Sequence, residues 1–185
     1  MSRIEPLNPP YPADVQADFD RIMPPGAPPL VLFRTIATSN RAWTKFRAAS
    51  LLDRGPLSLR EREIVINRTC ALTGCEYEWG VHVAVFAAPA RFTEEQVKAT
   101  VLGPCDAPCW SESEQALIAA VDALHHRATL SDQEFAELAA HFDGERILEI
   151  MQLCGFYRTV AYIANGLDLP REPTAARFPG HEPET

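Results

Sequence analysis

Proline placement constrains this chain more than any other feature. Of its 16 prolines, eight lie within residues 1–30 and four lie from Pro170 onward, leaving Pro56, Pro89, Pro104 and Pro108 between them. A proline ring has no backbone N–H to donate and collides with the preceding helical turn, so proline-dense ends form extended arms or turns. The proline-poor middle is free to be helical. Four segments there fit S/T-x-x-E/Q, the reciprocal capping box that satisfies orphan backbone donors at a helix start: Ser58 to Glu61, Thr93 to Gln96, Ser111 to Glu114 and Ser131 to Glu134. Past Ser111, the residues Ala116, Leu117, Ala120, Val121 and Leu124 fall on one stripe, as do Ile147, Ile150, Met151 and Cys154 past Gly144. Residues 37–53 and 76–88 also read as helices. The predicted fold class is all-α, with a proline-rich arm containing a short helix over 1–29, a helical domain over 30–169 and an extended tail over 170–185.

Length and charge narrow the function classes. A chain of 185 residues is one domain and can bury its own core. The formal net charge of -8 repels phosphate backbones, and no basic stripe offsets it, so neither nucleic acid nor an anionic membrane surface is an expected partner. The run Met1-Ser2-Arg3-Ile4-Glu5-Pro6 lacks a basic segment leading into an apolar one. The expected location is therefore a reducing cytoplasm, where cysteines are core, catalytic or metal-binding groups more often than disulfides. There are five, an odd number, so at least one thiol is free.

The chemistry concentrates around residue 75. Gly74 is placed to end the helix begun at Ser58, which leaves Cys75 at the start of the next, where the helix dipole and free donors favour a thiolate. Glu78 and His82 are four residues apart and share a helix face. A carboxylate beside an imidazole raises its pKa and orients its tautomer, as a proton-transfer pair requires. Spacing alone fits equally well a solvated surface pair contributing about 0.2–0.5 kcal/mol. Tyr77 and Trp79 flank the pair as core, interface or substrate-binding aromatics.

The run Leu59-Arg60-Glu61-Arg62-Glu63-Ile64, followed by Gly74-Cys75-Glu76-Tyr77-Glu78-Trp79 and His82, resembles the carboxymuconolactone decarboxylase family, which includes the AhpD-like alkylhydroperoxidases. The resemblance extends from about Pro29 to Leu169. It implies an AhpD-like helical fold and a homo-oligomer, trimeric or hexameric. In the peroxidase branch the site is a glutamate, a Cys-x-x-Cys pair and a histidine; these fall on Glu63, Cys75 and His82, but the second cysteine falls on Glu78. A carboxylate can neither reduce a peroxide nor close a disulfide. The decarboxylase branch carries Glu-x-x-x-His here, which Glu78 and His82 match. The resemblance thus implies a catalytic set of Glu63, Cys75, Glu78 and His82, with no metal and no cofactor, acting by acid/base chemistry on a small organic acid or lactone. Alternatives are a thiol peroxidase using Cys75 with an external resolving thiol, and a binding protein that kept the fold without catalysis.

The other cysteines read as structural. Cys70, seven residues after Glu63 and so on nearly the same helix face, reads as a small buried hydrophobe, and Cys154 falls in the apolar stripe of the last long helix. Cys105 and Cys109 with His125 and His126 invite a zinc reading, but adjacent histidines cannot both reach one metal from one helix face.

Overall fold

The computed structural model describes residues 2–180, so Met1 and the last five residues of the expected tail lie outside it. Among the described residues there are nine helices and no strand: α1 (Ala13–Ile22), α2 (Val31–Ile36), α3 (Asn40–Ala49), α4 (Leu59–Leu72), α5 (Glu76–Phe86), α6 (Glu94–Leu102), α7 (Glu112–Arg127), α8 (Asp132–Ala139) and α9 (Gly144–Gly166). The fold is all-α, as read from the sequence. All four capping boxes form, at the N-termini of α4, α6, α7 and α8. The helices expected over 37–53 and 76–88 are shorter. Ser39 caps α3 by accepting the Ala42 N–H at 3.3 Å, and α5 ends at Phe86. No helix is long and apolar enough to cross a membrane among the described residues.

The architecture centres on α4, which packs against α5, α6, α7 and α9. Its residues Glu63 through Cys70 are all buried. A helix covered on every side has no solvent face, so the stripe that marks α7 and α9 is missing from α4. Buried polar groups on such a helix must find partners or they cost stability. Arg68 finds four. Its guanidinium donates to both Asp122 carboxylate oxygens at 2.6 and 2.8 Å and to the carbonyls of Thr100 and Gly103 at 3.2 and 3.0 Å. That single side chain ties α4 to α7 and to the end of α6.

Among the described residues, both proline-rich segments are docked. The Arg3 N–H donates to the Leu167 carbonyl at 2.8 Å, and Leu7 and Arg34 pair through their backbones at 3.2 Å. The arm's helix α1 buries Val15 and Phe19, the latter edge-on to Trp43 at 5.4 Å, and the Trp43 indole donates to Asp18 at 3.0 Å. At the other end the chain crosses the face of α5. Glu172 accepts from the Tyr77 hydroxyl and the Val31 N–H, the Ala176 N–H donates to the Gly80 carbonyl at 3.0 Å, and the Phe178 ring packs 5.1 Å from Trp79.

Gly80 is small because this strap lies on it: a Cβ there would collide with the Ala176 carbonyl oxygen. Gly80→Ala is therefore expected to destabilise the protein by about 1–3 kcal/mol through local overpacking. It should also expose residues 170–180 to protease before the core unfolds. Urea denaturation with limited proteolysis checks this; wild-type stability with wild-type cleavage would show that the strap does not press on α5.

Candidate active site

The groups singled out from the sequence come from two helices and the turn joining them. Glu63 lies one turn into α4, Cys75 is the residue before α5, and Glu78 and His82 follow within α5. The turn works because Gly74 takes a left-handed conformation with φ +64, allowing Cys75 N–H to reach back to the Cys70 carbonyl at 2.8 Å. This reverses the chain tightly enough to lay α5 along α4.

His82 is held on both sides. Its Nδ1 is 2.8 Å from Glu63 Oε2, and its Nε2 is 3.4 Å from Glu78 Oε1. All three groups are buried, with relative exposures of 0% for Glu63, 3% for His82 and 6% for Glu78. The surface-pair reading of Glu78 and His82 does not hold. Two rings complete the enclosure: Tyr157 from α9 meets the imidazole edge-on at 5.1 Å, and Phe86 packs 5.2 Å from it. Each carboxylate keeps one buried oxygen, Glu63 Oε1 and Glu78 Oε2, without a hydrogen-bond partner among the described residues.

The electrostatics follow from this geometry. Burial disfavours a charged imidazole, but Glu63, by charge and hydrogen bond, and Glu78 after it, outweigh that penalty and raise the His82 pKa to about 9. At neutral pH the ring is an imidazolium clamped between two carboxylates.

Cys75 behaves otherwise than its position in sequence suggests. A cysteine at a helix start is expected to ionise readily, yet burial pushes this thiol up to about 12, the Glu78 carboxylate adds to the shift, and the nearby Glu78 backbone N–H offsets only part of it. The side chain is fully buried. Desolvation wins over the helix terminus, and Cys75 stands as a neutral thiol in the wall of the site. Cys70 is likewise fully buried, its pKa raised by burial first and then by Cys75 and the two carboxylates.

Tyr77 and Trp79 have other partners. The Tyr77 hydroxyl donates to Glu172 and accepts from the Leu32 N–H at 3.0 Å, while the Trp79 indole donates to Thr100 Oγ1 at 3.0 Å. Their polar atoms fasten α5 to its neighbours instead of facing His82. Arg62, Phe86 and Tyr157 were not among the expected site residues, and all three approach the triad. Tyr157 lies within the Pro29 to Leu169 extent of the family resemblance but outside the motifs that carry it. Arg62 lies in the Leu59 to Ile64 run that carries the family resemblance, whereas nothing in the local sequence marks Phe86.

A histidine whose folded-state pKa is raised contributes stability that is complete below its unfolded value, 6.5, and is lost as pH rises toward about 9. The thiols Cys70, Cys75, Cys109 and Cys154 are raised from 9.0 and begin to lower stability as pH approaches that value, whereas His125, lowered from 6.5 by burial first and then by Arg158, acts below the window. Unfolding free energy measured by urea should fall for wild type between pH 6.5 and about pH 8, below the onset of the thiols, and stay nearly flat over that interval for His82→Gln. Parallel slopes for the two proteins would mean that the imidazole is neutral in the fold.

The architecture recurs in solved structures. An uncharacterized peroxidase-related protein from Silicibacter sp. TM1040 aligns with TM-score 0.79 and 19% identity over 93% of this chain and 92% of its own. An alkylhydroperoxidase AhpD core protein from Ralstonia eutropha JMP134, also peroxidase-related and uncharacterized, gives 0.77 and 19% over 93% of each chain. A variant of the debrominase Bmp8 in complex with 2,3,4-tribromopyrrole gives 0.70 and 17% over 92% of each. Likeness at these identities is likeness of fold. Curated protein sequences yield no significant match. Residues 38–123, which include Glu63, Cys75, Glu78 and His82, match the carboxymuconolactone decarboxylase family. That segment thus resembles the carboxymuconolactone decarboxylase family, and the chain has the AhpD-like fold.

Proposed function

We propose that the protein is an enzyme that carries out cofactor-free acid/base chemistry, a decarboxylation or a related proton shift, on a small organic acid or lactone. The observation that carries this reading is the buried imidazole of His82 held between Glu63 Oε2 at 2.8 Å and Glu78 Oε1 at 3.4 Å. Because both ring nitrogens are engaged, the imidazole is assigned to act on substrate through a carboxylate rather than directly. Glu78, whose buried Oε2 has no hydrogen-bond partner among the described residues, keeps a free acceptor beside the ring and is assigned the proton exchange with substrate. His82 then serves as the proton store behind it, and Glu63 anchors the ring.

In a decarboxylation the bond between the substrate carbon and its carboxylate breaks, carbon dioxide leaves, and the electron pair passes into an adjacent carbonyl as an enolate. The proton held by His82 reaches the enolate carbon through Glu78, and solvent restores the imidazolium. The proton taken up equals the one needed to convert a carboxylate into a C–H bond and carbon dioxide. A proton shift uses the same relay without carbon loss.

The thiol-peroxidase alternative draws on the peroxidase-related descriptions of two proteins sharing the fold. Against it stands the buried Cys75 thiol, held near 12, since thiolate is the species that attacks peroxide.

A panel of β-keto acids, carboxylactones and peroxides, assayed on wild type, Glu78→Gln, His82→Ala and Cys75→Ser, separates the readings. Carbon-acid turnover should fall about 100- to 10,000-fold in Glu78→Gln and His82→Ala, the range lost with a proton-transfer group, and persist in Cys75→Ser. Turnover surviving both of the first two changes, or peroxide reduction that depends on Cys75, would overturn the assignment.

A further inference from the structure

Three charged groups form the relay, and a fourth, which the relay does not use, lies against them. Arg62, in the first turn of α4, brings its Nε to 3.9 Å from Glu63 Oε1, the carboxylate oxygen that His82 does not hold. A guanidinium and an imidazole thus face the two oxygens of one buried carboxylate. From Arg62 through Glu63 and His82 to Glu78, groups able to carry positive and negative charge alternate.

At 3.9 Å the guanidinium is too far from the carboxylate for a hydrogen bond, and both Arg62 Nε and Glu63 Oε1 are buried without a partner among the described residues. The other end of the guanidinium is anchored, since Nη1 donates to the carbonyls of Leu52 and Asp53 at 3.0 and 3.1 Å. Arg62 therefore acts on Glu63 by charge, from a fixed position. Burial magnifies that effect, because a pair at one separation interacts about fourfold more strongly at the effective dielectric of a protein than in bulk water. Other carboxylates compete less well. Glu149, half-buried on α9, shares the Arg62 charge, and Asp53 is exposed, so water screens both more than it screens Glu63, whose exposure is 0%.

The charge matters because a hydrogen-bonded glutamate and histidine can share one proton in two ways. Either the ring carries it and the pair is ionic, or the carboxyl carries it and the pair is neutral. Burial penalises both charges of the ionic form and neither group of the neutral one to the same degree. A cation against the oxygen that the ring does not hold stabilises the carboxylate, and with it the ionic form. Glu78 supports the same form from the other ring nitrogen. The remaining ionisable side chains around the ring, Cys70, Cys75 and Tyr157, are pushed up by burial and carry no charge at neutral pH. Resting on the acid/base reading of the triad, we propose that Arg62 is a positioning residue that acts through Glu63: its charge keeps Glu63 ionised and so keeps the transferable proton on the His82 ring, where the relay needs it.

Nitrogen-15 and carbon-13 NMR of the protein without substrate, at neutral pH, tests this. In wild type both ring nitrogens of His82 should show imidazolium shifts, and the side-chain carboxyl carbon of Glu63 should show the shift of a carboxylate. In Arg62→Gln the ring nitrogens should move toward neutral imidazole values while the Glu63 carbon moves toward those of a protonated acid. Arg62→Lys keeps a cation but loses the paired contacts to Leu52 and Asp53, and it should hold ring and carboxylate at wild-type values. Unmoved shifts in Arg62→Gln would overturn the proposal. So would Arg62→Lys behaving like Arg62→Gln, the pattern expected if Arg62 only ties down residues 52 and 53. A protonated Glu63 carboxyl in wild type would overturn it without need of any variant. No substrate enters the measurement, so a ring that stays charged in Arg62→Gln removes the role of Arg62 and leaves the relay of Glu78 and His82 standing, and a failed turnover assay leaves the proton placement standing.

Discussion

An imidazole buried between two carboxylates is the interaction on which the rest of this structure depends. Taking three ionisable groups out of water costs several kcal/mol per charge, and the cost is met only if each charge is paired at close range. The 2.8 Å contact between His82 and Glu63 provides one such pairing, and Glu78 at 3.4 Å provides a looser one. The fold supplies the precision. The Gly74 turn sets α5 against α4, the Arg68–Asp122 pair fixes α4 against α7, and the C-terminal strap on Gly80 holds α5 from its outer side. Removing one partner of the triad strands the others in a medium that cannot solvate them.

The same burial decides the chemistry. An environment that holds a charge through a specific partner also suppresses any charge that has none. His82 is pushed up by its carboxylates and stays charged, whereas Cys75, a few residues away, is pushed up by burial and stays neutral. One desolvated cluster thus favours proton transfer and disfavours thiolate chemistry. That is a physical reason, independent of the match to a family, to read the glutamate at position 78 as the working group and the cysteine at position 75 as packing.

Much of this was legible in the sequence because it is local. Each capping box is a contact across four residues, and all four formed where Ser58, Thr93, Ser111 and Ser131 marked them. The Glu78 and His82 pair is likewise one helical turn. The reach of Glu63 to His82 spans 19 residues and was available through the family resemblance, not through spacing. What stayed hidden depends on tertiary packing. Burial of Cys75 reverses the effect that its helix position alone implies. Tyr77 and Trp79, which flank the motif, turn out to fasten the helix, because Glu172 and Thr100 arrive from elsewhere in the chain. Arg62 differs in no local way from Arg60, yet Arg60 pairs with Glu114 while Arg62 holds the Leu52 and Asp53 carbonyls and brings its Nε to 3.9 Å from Glu63.

The protonation state of His82 is the central claim, and its ring nitrogens report that state directly. In a nitrogen-15 NMR titration of the wild-type protein, both ring nitrogens should remain in the imidazolium range through neutral pH and titrate near pH 9, with that midpoint falling in Glu63→Gln. A midpoint at or below the ordinary value of 6.5, unchanged by Glu63→Gln, would contradict the account.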